Sequence, residues 1–139
     1  MSEKLGYIYN GLGRMETDND SIDVYSLIQA GVVEGQLLPR TLSEVQSLDD
    51  VIVWREKGRI VGCVSLEIYS QRLAEIRSLY VYKPYREEGI GTKLIESCVE
   101  KARQKGVNEL IAITDKIDLF EKVGFNDPLH NQRAVFMKL

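Results

Sequence analysis

The feature that most constrains this chain is the break at Lys83-Pro84. It separates a run of β-formers, Leu73 to Tyr82, from a helix-spaced apolar series that begins after Gly91. Proline has no N–H to give to a ladder and stops the strand. Beyond it Leu94, Ile95, Cys98, Val99 and Ala102 recur at helical spacing, and Gly106 lies where a C-terminal cap belongs. Glu109 to Thr114 follows as a short apolar strand. Strand, glycine turn, helix and strand make a βαβ-like unit with parallel strands, and the chain is read as an α/β protein.

The remaining pattern fits around that unit. Tyr7 to Met15 reads as a first strand, and Asp18-Asn19-Asp20-Ser21 offers caps for a helix carrying Ile22, Val24, Tyr25, Leu27 and Ile28. Gly31 to Arg40 reads as loop, and Thr41-Leu42-Ser43-Glu44 opens a short amphipathic stretch ending near Asp49. Val51 to Glu56 and Arg59 to Ile68 flank Lys57-Gly58 as a hairpin. Ile117 to Lys122 reads as a short helix ending at Gly124, and Arg133 to Leu139 as a last strand. No repeat or linker divides residues 1–139, which are read as one domain. With 44% hydrophobic residues, a chain of this length buries a core without needing a metal or a disulfide.

Inventory removes several kinds of chemistry. Cys63 and Cys98 each sit inside an apolar pattern, outside any CxxC arrangement, and read as reduced core thiols. His130 is the single histidine and reads as a loop or surface residue, so neither a zinc site nor a Cys/His nucleophile pair is expected, and no metal. A net charge of −3 and a pI near 5.3 argue against nucleic acid as a partner. There is no signal-peptide pattern and no run of about 18 apolar residues, so the expectation is a cytoplasmic protein without a membrane partner.

The chemistry concentrates at Arg86-Glu87-Glu88-Gly89-Ile90-Gly91-Thr92, between the strand and the long helix. A helix N-terminus presents unpaired N–H groups and partial positive charge, and glycine allows an anion to come close. The GxxxxGK[ST] spacing of a P-loop is absent, and Leu94 takes the place of the third glycine of a dinucleotide fingerprint. The glycines alone leave two readings open, a diphosphate cradle or a tight connection that serves packing only. The wider run from Glu75 through Leu94 resembles the acetyl-CoA signature of the GNAT acetyltransferases, with its Q/R-x-x-G-x-G/A core. Leu119-Phe120-Glu121-Lys122-Val123-Gly124-Phe125 is similar to the family's second landmark.

That resemblance implies a GNAT fold: a central mixed, mostly antiparallel sheet of about six or seven strands, flanked by about four helices, with two central strands splayed to admit the pantetheine arm of acetyl-CoA. It implies that Leu79-Tyr80-Val81 borders the cofactor through backbone groups, that Arg86 through Thr92 wrap the pyrophosphate, and that Phe120 is core or a wall beside the arm. Two departures stand out. Glu87-Glu88 occupies positions where many relatives carry glycine or a basic residue, which points to backbone-dominated binding. Phe120 replaces a tyrosine of many relatives and has no proton for the leaving thiolate.

Glu75 is the candidate base, acting through water, against the plainer reading of a surface ion-pair partner. Within the superfamily, Gly35-Gln36-Leu37-Leu38-Pro39-Arg40 is similar to the acetyltransferase domain of N-acetylglutamate synthase. The likeness implies a small-molecule amine acceptor, an amino acid such as glutamate, its carboxylate gripped by Arg40, Arg72 and Arg77, with Arg133 as a further candidate. Solvated surface charge is the plainer reading of each arginine. A protein or peptide amine, a polyamine, and a non-catalytic acetyl-CoA-binding module are the alternatives; the sequence leaves a homodimer open.

Overall fold

The Lys57-Gly58 turn sets the frame of the sheet. Both residues have left-handed backbones, φ 53° and 79°. Two such residues in succession match the twist of the strands they join, so β2 (Asp50–Glu56) and β3 (Arg59–Ile68) fold back as an antiparallel hairpin. In the computed structural model, which describes residues 10–126, 135 and 137–139, three more strands complete the sheet: β1 (Gly11–Arg14), β4 (Leu73–Val81) and β5 (Glu109–Ala112). Their order is β1-β2-β3-β4-β5, antiparallel up to β4, with β4 and β5 parallel. This is the mixed, mostly antiparallel sheet expected, with five strands among the described residues. The last strand expected over Arg133–Leu139, and His130, involve residues outside those described.

Strand alternation sends one set of side chains to each face. Ile52, Val64, Leu66, Ala74 and Ile76 meet α3 (Ile90–Gln104) through Ile90, Leu94, Ile95, Cys98 and Ala102. Val51, Val53, Cys63 and Tyr80 meet Val24, Leu27 and Ile28 of α1 (Asp18–Val33) and Val45 of α2 (Leu42–Gln46). A short α4 (Ile117–Glu121) adds buried Phe120 to the α3 side. Cys63 and Cys98 are buried free thiols, as expected, and burial pushes both up to about 12.

Two boundaries differ from the sequence reading. The cap of α1 is Thr17, one residue before the acidic cluster: its hydroxyl takes the Asp20 N–H, and the Asp20 carboxylate takes the Thr17 N–H in return. The helix also runs through Gly31 to Val33, where loop was expected. Gly31 is there for close approach, not for a turn. A Cβ at that position would lie 2.6 Å from Leu37 Cδ1 and 3.0 Å from the Tyr80 ring.

Candidate active site

The pairing of β4 with β5 stops at Ile76 opposite Ala112, but β4 continues to Val81. Arg77 to Val81 therefore have no β5 neighbour, and the two strands part as expected. The N–H of Tyr82 bonds Val61 O, across to β3. Main-chain groups alternate sides along a strand, so those of Leu79 and Val81 face the opening. The Arg86 Nε bond to Val81 O at 2.8 Å agrees with that direction. A cleft of about 50 Å³ lies in the opening, lined by Ser78 and Leu79, by Ile113 and Lys116 beyond β5, by Leu37 from the loop after α1, and by Phe120.

The strand is bulged at this point. Cys63 pairs with Tyr80 but Ser65 with Arg77, which leaves Ser78 and Leu79 together opposite Val64. Ser78 takes φ 57°, a left-handed backbone uncommon for a residue with a Cβ. After the bulge the alternation is reversed: Leu79 and Val81 join the α3 side, and Tyr80 the α1 side.

Beside the opening, α3 begins without a side-chain cap, at Gly89 with φ 84°. The N–H groups of Glu87 through Thr92 have no acceptor among the described residues. Glu87 is also left-handed, φ 67°, and the side chains of Glu87 and Glu88 are exposed. Gly91 packs against α4, where a Cβ would meet Leu119 Cδ2 at 3.1 Å. Free amides at a helix start, glycine on the approach and carboxylates turned to solvent fit a diphosphate held by main chain. A larger groove of about 450 Å³ between α3 and β1, lined by Leu12, Lys93, Glu96, Glu100 and Lys101, includes none of Glu87–Thr92 and none of the bulge residues.

Arg86 is committed elsewhere. Its N–H bonds Lys83 O, its Nε bonds Val81 O, and Nη2 reaches Glu34 Oε1 at 2.7 Å, with the guanidinium 5.2 Å above the Tyr80 ring. The buried Tyr80 hydroxyl donates to the other Glu34 oxygen. The Tyr80 hydrogen bond, then Arg86, hold Glu34 below the ordinary carboxylate value, whereas burial and the bond to Glu34 push Tyr80 up to about 12. Glu34 ends α1, so this triad ties the turn at Arg86–Gly89 to the loop after α1.

Glu75 lies opposite Glu67 of β3. Like charges so placed repel, and the two side chains part. Glu75 accepts from the Tyr69 hydroxyl, which burial and Glu75 itself raise to about 12. Glu67 turns toward the bulge, where it accepts from Arg40 Nη2 and from Ser65 Oγ at 2.9 Å and lies 3.6 Å from Arg77 Nη1. Four residues, roughly 13 Å of strand, separate Glu75 from Leu79, so any role for it at the cleft runs through water.

Of the three arginines expected together, the structure gathers two. Arg40 is only 9% exposed, with Nε on Ser78 Oγ and Nη2 on Glu67. Arg77 lines the cleft, half-buried, and its guanidinium makes no hydrogen bond to a described residue. Arg72 is exposed at the β3–β4 turn, about five residues of strand away from Arg77. Glu67, Ser65 and Glu34 escaped the sequence reading. Alternation along β3 puts Glu67 on one face with Cys63 and Ser65, but its place opposite Glu75 comes from the β3–β4 register, which the Lys57-Gly58 hairpin does not set.

The Acetyltransferase (GNAT) family model matches residues 18–125. The chain belongs to this family. It is 34% identical over 95 residues to an uncharacterised N-acetyltransferase of Chlorobaculum tepidum, covering 68% of this chain and 61% of that one. It is 25% identical over 115 residues to the amino-acid acetyltransferase of Pasteurella multocida, covering 81% of this chain and 26% of that enzyme. The chain thus spans about three fifths of the first relative and about a quarter of the second. Among solved structures, the N-acetylglutamate synthase of Neisseria gonorrhoeae, complexed with coenzyme A and N-acetyl-glutamate, superposes with a TM-score of 0.77 at 22% identity, over 86% of this chain and 29% of that one. A Mycobacterium tuberculosis protein solved with CoA gives 0.77 at 22% identity, over 83% of this chain and 70% of that one. At these identities the superpositions speak for the fold.

Proposed function

We propose that the protein is an acetyl-CoA-dependent N-acetyltransferase whose acceptor is the amino group of a small amino acid, with glutamate the first to test. The observation that carries this reading is the adjacency of the β4–β5 opening, with Leu79 main chain along it, to the free amides of Glu87–Thr92. The amides hold the diphosphate, the pantetheine arm enters the opening past Phe120, and the Leu79 N–H polarises the thioester carbonyl. A neutral amine attacks the thioester carbon, the C–S bond breaks, and coenzyme A leaves as a thiolate. Glu75 takes the amine proton through water. Phe120 supplies no proton, so departure of the thiolate rests on solvent and on its own modest basicity.

Arg77 supports the amino-acid acceptor: it borders the cleft with donors to spare, as a carboxylate requires. Amino-acid acetyltransferases among the relatives point the same way. The test is release of free thiol from acetyl-CoA with single amino acids, peptides and polyamines as acceptors. Turnover is expected with an amino acid, and turnover confined to peptides or polyamines would exclude this acceptor class. Tight coenzyme A binding with no thiol release on any acceptor is the outcome for a non-catalytic binding module, the reading that Phe120 favours.

A further inference from the structure

The bulge in β4 is held by side chains from two directions. Ser65 Oγ lies 3.0 Å from Arg77 O and Cys63 Sγ lies 3.5 Å from Ser78 O, so β3 side chains serve the carbonyls that the extra residue pulls out of the ladder. From above, Arg40 Nε donates to Ser78 Oγ at 3.0 Å, and Glu67 fixes the same guanidinium through Nη2. The Ser65 hydroxyl has one proton for two acceptors, Arg77 O and Glu67, which links the brace into one network. Arg40 and Glu67 are largely buried; they spend their groups on one another and on the bulge, with the second Glu67 oxygen 3.6 Å from Arg77 Nη1. A left-handed serine persists only where its surroundings over-determine it.

We propose that Glu67, through Arg40, is a positioning residue: the pair locks Ser78 in its left-handed conformation and thereby aims the Leu79 N–H into the opening, while Arg77 alone of the two arginines is left for the acceptor. This rests on the reading of the opening as the acetyl-CoA site. It assigns Arg40 to carbonyl polarisation rather than to substrate recognition, and it gives Glu67 no proton to carry.

The test needs no acceptor. The carbonyl stretch of bound acetyl-CoA, isolated by ¹³C labelling of the acetyl carbon, reports polarisation of the thioester directly. Wild-type protein should lower that frequency relative to free acetyl-CoA. Glu67→Gln and Arg40→Met should bind acetyl-CoA within about threefold of wild type and lose most of the shift, and Arg40→Lys should restore part of it. Ser65→Ala, which leaves every charge in place, should lose a smaller part, and it keeps the test open if a charge variant fails to fold. With the best acceptor, Glu67→Gln should lower kcat at least tenfold and leave the acceptor KM within about threefold. A full shift in Glu67→Gln and Arg40→Met, with a raised acceptor KM, would overturn the proposal and make both residues acceptor ligands. If wild-type protein binds no acetyl-CoA, the function proposed above falls first, and this inference with it.

Discussion

Glu87 holds a left-handed backbone that an L side chain adopts at a cost of about 1 kcal/mol, and it does so beside the amides assigned to a diphosphate. Its carboxylate is exposed and returns nothing by packing. Glu87→Gly removes both the strain and the charge, and is expected to raise stability to denaturant by up to about 1 kcal/mol and to tighten coenzyme A severalfold in calorimetry. Weaker binding would mean that the side chain, not the main chain, meets the ligand. Glu75→Gln is expected to lower turnover steeply near neutral pH while leaving acetyl-CoA affinity nearly intact, and unchanged turnover would remove Glu75 from the mechanism. The sequence made Glu75 and Arg77 visible because they sit within the family signature. Glu67 and Glu34 were not legible, since their partners, Arg40 and Arg86, are 27 and 52 residues distant and meet them only through sheet register and helix packing.

At the scale of elements, the loop after α1 lines the cleft through Gln36 and Leu37, and Gly31 decides how closely it approaches. In Gly31→Ala the new methyl would collide with Leu37, a cleft residue, and crowd Tyr80. The variant is expected to lose about 1–3 kcal/mol in urea unfolding and to raise the acceptor KM more than the acetyl-CoA KM. Equal changes in both would detach the loop from acceptor binding. Periodicity located both helices that frame the site and the hairpin, because each obeys a local rule of spacing, cap or turn. It read Gly31 as a break, because a glycine that permits contact and a glycine that ends a helix look alike in sequence. The bulge at Ser78 was not read either: it moves the α3-facing positions of β4 from Ala74 and Ile76 to Leu79 and Val81, but in a strand apolar on both faces that change of phase is recognised only against the partner strand.

For the molecule as a whole, stability has two pH limbs. Asp20, where hydrogen bonds from Glu16 and Thr17 N–H and the Arg55 guanidinium outweigh burial, and Glu34, held by Tyr80 and Arg86, are both depressed in the folded state. Their contribution is present above the unfolded carboxylate values, near 4, and is lost as pH falls through the folded ones. Cys63, Cys98 and Tyr80 are raised, to about 12 from 9 for the thiols and from 10 for the phenol, so theirs is complete below those ordinary values and is lost as pH climbs toward 12. The urea midpoint is expected to be flat from about pH 5 to about 9 and to fall on both sides, with Cys98→Ala losing less between about pH 9 and 11 than wild type. An alkaline slope unchanged in Cys98→Ala would show that its thiol does not titrate with folding. None of these limbs bears on the central claim, that main-chain amides from Glu87 to Thr92 hold the diphosphate of coenzyme A while its arm occupies the β4–β5 opening. The most direct measurement is a crystal structure of the protein soaked with coenzyme A. The account predicts diphosphate oxygens within hydrogen-bond distance of those amides and the thiol end beside Leu79; coenzyme A bound elsewhere, or not at all at millimolar concentration, would contradict it.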